Sequence, residues 1–156
     1  MSSAILLAVG IGFVAGLRSM TAPAAVSWAA YLGRLDLQGT ALSFMGSGIA
    51  VTILTTLALV EYAVDLFPTT PNRTKPGPLF WRIILGGLSG AAVTLSANQG
   101  PAVGVIAGGI GAVLGAFVGY EIRRRLVSGL KVKDAFVAIP EDLVAIALAG
   151  LILAAG

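Results

Sequence analysis

The chain has 156 residues, 57% of them hydrophobic and only 11% charged, with a mean hydropathy of +0.96, whereas a soluble domain carries about 25% charged residues. That excludes an ordinary water-soluble domain and predicts one all-α domain over residues 1–156, a polytopic helical membrane protein in the lipid bilayer. The net charge of +3 sits in short stretches between apolar runs, so it reads as an orientation signal and not as a nucleic-acid surface. With neither cysteine nor histidine present, disulfides, thiol nucleophiles, imidazole bases and soft-metal sites are excluded, and only oxygen ligands for a hard cation remain.

The N-terminus lacks the basic region of a signal peptide and is read as the start of the first span. Residues 5–32 make an apolar run longer than the about 20 residues of one ideal span. Gly16, Arg18, Ser19, Thr21 and Pro23 interrupt it. Proline removes a backbone donor and clashes with the preceding turn, so the first helix is expected to be broken between Arg18 and Pro23. Arg18 would then lie deep in the membrane, paired inside the protein.

Residues 33–39 form a polar turn, the outer loop. A second span is predicted over residues 43–66, with Thr52, Thr55 and Thr56 returning their hydroxyls to the helix backbone. It ends on Glu61 and Asp65, four apart and therefore on one face. Residues 67–78 hold Pro68, Pro71, Pro76 and Pro78, four of the seven prolines. They predict a stiff, non-helical path that holds Asn72, Arg73 and Lys75 in fixed positions.

The third span, residues 79–96, opens on Trp81 and Arg82, an aromatic and basic interface signature. A tight turn at 98–101 leads to a fourth span, residues 102–120. There Gly104, Gly108, Gly111, Gly115 and Gly119 recur on one face, suited to close packing against a neighbouring helix and, secondarily, to oligomerisation. Residues 121–133 read as a basic cytoplasmic loop. Asp134 is expected to cap a last helix over 135–155, kinked at Pro140 and carrying Glu141 and Asp142.

These elements add up to about five spans, with the N-terminus cytoplasmic and the C-terminus extracytoplasmic in a bacterial inner membrane. Arg18, Glu61, Asp65, Asn72, Arg73, Lys75, Glu141 and Asp142 would gather in a charged cluster towards the cytoplasm. A faint internal repeat also relates the stretch from Gly12 to Glu61 to that from Gly87 to Glu121.

Gly16-Leu-Arg18-Ser, Glu61-x-x-x-Asp65-x-x-Pro68 and Asn72-Arg73-Thr together resemble the pattern of the DUF4126-type family of bacterial integral membrane proteins. The resemblance implies a small helical membrane protein with Arg18, Glu61, Asp65 and Arg73 as its distinctive polar residues. It implies no activity.

Three functions suit such a cluster. The first is a transporter or channel for an ion or small solute, in which the carboxylates attract a cation, Arg18 is the fixed countercharge and a homo-oligomer completes the route. The second is a structural or accessory membrane protein whose buried ion pairs lock its helices together. The third is a Mg2+-dependent enzyme acting on a lipid phosphate or prenyl diphosphate, with Glu61 and Asp65 on the metal and Asn72, Arg73 and Lys75 on the phosphates.

Overall fold

A computed structural model describes residues 2–67 and 72–155. Among these the regular secondary structure is all helical: α1 (Ser2–Leu17), α2 (Thr21–Tyr31), α3 (Gly48–Val64), α4 (Pro76–Ser96), α5 (Pro101–Leu130) and α6 (Asp134–Ala154), with a 3-10 turn at Ser43–Gly46. The helices α4, α5 and α6 are each long and apolar enough to cross a membrane, while α1 and α3 are shorter apolar helices. Large apolar side chains such as Leu6, Ile49, Ile106, Leu143 and Leu151 point outward, as lipid demands and water does not.

The core is a three-helix contact of α1, α4 and α5 built on small residues. A Cβ on Gly12 would overlap the carbonyl of Gly108, and one on Gly16 would overlap that of Ala112. Among the predicted packing glycines of α5, Gly104 and Gly108 lie on α4, Gly111 and Gly115 on α1, and Gly119 against Leu17, Arg73 and Glu141. That face is therefore occupied within the chain, and an oligomer would have to use another.

Helix directions follow from the pairs that touch. Gly10 meets Ile152 while Arg18 meets Ala138 and Asp142, so α1 runs antiparallel to α6. Thr21 pairs with Tyr62 and Trp28 with Thr55, so α2 runs antiparallel to α3. Val26 and Ala29 of α2 and Met45 of the 3-10 turn share one buried cluster with Ala92, Val93, Ala149 and Leu153 from the far halves of α4 and α6. The chain thus reverses at residues 18–20, and α1 and α2 form a splayed hairpin instead of two pieces of one crossing. Both ends of the described chain lie at the same end of the bundle, unlike the opposite faces expected from sequence.

Four local expectations are corrected. Pro76 and Pro78 do not prolong a loop but open α4, because a first-turn proline lacks only an N–H that has no intrahelical partner; Pro68 and Pro71 lie outside the described residues. Residues 121–130 are helical, so α5 reaches 30 residues and the basic loop shrinks to 131–133. Asp134 is the first residue of α6 and makes no cap; it pairs instead with Arg123. Pro23 falls in the first turn of α2, where it ends nothing, and the break lies just before it.

Candidate functional site at the helix break

A helix interrupted inside a membrane leaves carbonyls at one end and N–H groups at the other with no water to satisfy them. Charged side chains from two other helices, α3 and α4, and from the loop before α4 do so here. At the end of α1, Arg82 donates through Nη1 to the carbonyls of Ala15 and Gly16 at 3.3 and 3.0 Å, and Arg73 donates to that of Leu17 at 3.2 Å. At the start of α2, Glu61 accepts the backbone N–H groups of Ser19 and Met20, each at 2.8 Å, and the Ser19 hydroxyl at 2.6 Å. Cations thus meet a helix C-terminus and an anion meets an N-terminus, the sense that the helix dipoles favour.

Arg18 fills the break itself and is 0% exposed. Its Nη1 lies on Asp65 Oδ2, its Nε is 2.5 Å from Asp142 Oδ1, and its Nη2 is 3.9 Å from Glu141. The Tyr62 ring covers the guanidinium at 5.8 Å from the ring centroid, a cation–π distance, and its hydroxyl is 2.6 Å from that of Thr21. Arg73 grips Glu141 with both terminal nitrogens. Arg123 bonds Asp134 through Nε at 2.7 Å and Nη2 at 2.5 Å and lies 3.4 Å from Glu141 and 3.9 Å from Asp65. Arg18, Arg73 and Arg123 form one ion-pair network with Asp65, Asp134, Glu141 and Asp142, and the pair of Arg82 with Glu61 lies beside it.

Six of the eight residues singled out from sequence meet here: Arg18, Glu61, Asp65, Arg73, Glu141 and Asp142. Asn72 is exposed beside the network and lines its cavity, while Lys75 is exposed and precedes α4. Glu121 stays outside, paired with Arg124 and Arg125 on its own helix. Sequence reasoning missed Arg82, Arg123 and Tyr62 as members.

Glu61 and Asp65 share a helix face but have different partners. Both Glu61 oxygens already accept N–H or O–H donors, and Asp65 carries a guanidinium, so the positive charge and donors already on them oppose a divalent cation. Among the described residues, no three acidic side chains converge in a way that could hold a metal.

Two cavities flank the network. One, of about 440 Å3, is polar and is lined by Asp65, Asn72, Arg73, Arg82, Arg123, Arg124, Ser128 and Asp134, with Phe67, Tyr120 and Val127. Its arginines outnumber its acids by four to two. The other, of about 430 Å3, lies between α1, α5 and α6 and is lined by apolar side chains including Phe13, Leu17, Val118, Ile122, Phe136 and Val144, with Arg123 and Glu141 as its charged members.

Apolar outer surfaces, membrane-length helices and a buried ion-pair network at a broken helix define an integral membrane protein of the polytopic helical class. The chain belongs to the DUF4126 family, a domain of unknown function whose model matches residues 5–155. No curated protein and no solved structure matches it.

Proposed function

We propose that the protein is a small membrane transporter whose solute is an anion. The observation that carries this is the polar cavity of about 440 Å3 walled by Arg73, Arg82, Arg123 and Arg124 directly beside the helix break. Broken helices commonly build transporter sites, because their ends present unsatisfied backbone groups to a solute. The carboxylates expected to attract a cation are already held by arginines, and the cavity wall itself carries four arginines against two acids, which favours an anion.

The positive-inside rule supports a cytoplasmic location for the end that carries Lys75, Arg124, Arg125, Lys131 and Lys133. Since α1 and α6 are antiparallel neighbours, the two termini would then both be extracytoplasmic. The cavity opens towards the cytoplasm in this reading, and the cluster of Val26, Ala29, Leu35, Leu37 and Met45 closes the opposite half. We place this arrangement in a bacterial inner membrane.

Flux in proteoliposomes tests the proposal. Wild-type protein should take up phosphate or a small organic phosphate, and Glu61→Gln should depress uptake while the protein still purifies as a folded species. No flux for any anion in the wild type would overturn it.

A structural role has one observation in its favour, the complete burial of Arg18 among partners. It predicts a folded protein with no flux and no anion binding at all.

A further inference from the structure

The polar and apolar cavities meet at Arg123, which lines both. Each volume, about 440 and about 430 Å3, falls within the about 300–1,000 Å3 of small-molecule sites. They differ wholly in chemistry. One offers guanidinium groups together with Asn72 and Ser128, while the other is a strip of aliphatic and aromatic carbon closed at one end by Glu141 and Arg123.

We infer that the two are halves of one site for a single-chain anionic lipid, its compact phosphate headgroup in the arginine-lined cavity and its chain in the groove between α5 and α6. This rests on the anion-site reading above and names the class of solute it takes.

Three observations support it. Arg82 is 6% exposed, lines the polar cavity, and its Nε has no hydrogen-bond partner among the described residues. A buried donor without a partner is costly, and an anionic oxygen would satisfy it. Asn72 adds a neutral side-chain amide beside the arginines, which suits a headgroup with several terminal oxygens. The apolar groove, finally, is bounded by α5 and α6, two helices that touch little along their length although a three-residue link joins them. Val118, Leu126 and Val144 on its rim are 41%, 41% and 52% exposed, so in a bilayer the groove opens sideways to lipid chains. An aqueous anion would need only the first cavity; a neutral lipid would need only the second.

The test is binding to the full-length protein in a non-ionic detergent, measured by native mass spectrometry and by ligand-induced thermal shift. The probes are oleoyl lysophosphatidate, glycerol 3-phosphate, and monoolein, a neutral lipid of the same chain. Oleoyl lysophosphatidate should bind at least tenfold more tightly than either of the others. Val144→Trp, which fills the groove away from the arginines, should abolish that advantage and leave glycerol 3-phosphate binding unchanged. Leu126→Trp, on the opposite wall, gives the same reading should the first variant fail to fold.

Equal binding of lysophosphatidate and glycerol 3-phosphate, indifferent to both tryptophans, would overturn the lipid inference and leave the anion site standing. Equal binding of monoolein would overturn it by reducing the groove to a passive lipid contact. No binding of either phosphate would overturn both the inference and the reading on which it rests.

Discussion

Glu61 caps a helix to which it does not belong: from α3, its Oε2 accepts the backbone N–H of Met20 at 2.8 Å, at the first turn of α2. Its other oxygen takes the N–H and hydroxyl of Ser19 and lies 3.7 Å from Arg82. One carboxylate therefore ties α3 to the start of α2 and to the guanidinium that closes α1.

Removal of that carboxylate should cost more than loss of an ordinary cap. Hydrogen bonds to a charged group contribute about 1.5–3 kcal/mol each and a side-chain N-cap about 0.5–2 kcal/mol, and these contributions overlap here. Glu61→Ala is expected to destabilise the protein by about 3 kcal/mol. Glu61→Gln, which keeps one acceptor, should lose about half as much. Thermal unfolding in detergent checks the order, and an Ala variant as stable as the wild type would remove the capping role.

Arg18 gives a test by rescue. Arg18→Met leaves Asp65 and Asp142 facing each other across an apolar side chain, and removal of one partner from a buried pair costs about 3–5 kcal/mol. Substitution of the partners as well, in the triple variant Arg18→Met with Asp65→Asn and Asp142→Asn, should recover most of the loss, since no buried charge is then left unpaired. A triple variant as unstable as Arg18→Met alone would mean that the guanidinium acts chiefly through its contacts with Ala138 and the Tyr62 ring.

The residues that meet at the break were largely legible in the sequence because a charge inside an apolar run has few alternatives to a partner. Arg18, Glu61, Asp65, Glu141 and Asp142 stand out for that reason alone. Arg82 did not, because Trp81 beside it imitates an interface belt; only the early start of α4 at Pro76 carries Arg82 into the bundle. Arg123 was hidden by its two basic neighbours, which are exposed and genuinely loop-like in composition. The reversal between α1 and α2 had no signal of its own, since Gly16, Ser19 and Pro23 accompany a kink as readily as a turn. Direction is decided by what α2 packs against, namely α3 and the far half of α4, which lie distant in sequence.

The glycines of α5 are not equivalent. A Cβ on Gly108 would overlap the carbonyl of Gly86, whereas one on Gly109 meets only Ile83 Cγ2 at 3.6 Å, and one on Gly129 meets nothing. Gly108→Ala should therefore destabilise by about 1–3 kcal/mol through forced helix separation. Gly109→Ala should be close to neutral, and Gly129→Ala should stabilise by up to about 1 kcal/mol through helix propensity. Unfolding midpoints of the three variants in one detergent give the comparison. Equal effects would mean that α4 and α5 do not approach at backbone distance.

Arg123 and Arg125 separate a network cation from a surface one. Arg125 is exposed and pairs with Glu121 one turn away on the same helix, where solvent screens the pair, so Arg125→Gln should leave stability almost unchanged. Arg123 reaches Asp134 and Glu141 on α6 and Asp65 after α3, and its loss leaves carboxylates crowded with one countercharge fewer. Arg123→Gln is expected to cost at least about 2 kcal/mol and to free the start of α6. Hydrogen exchange at residues 134–139 should rise in that variant and stay at the wild-type level in Arg125→Gln. Equal protection in both would show that α6 is held by its apolar face and not by the arginine.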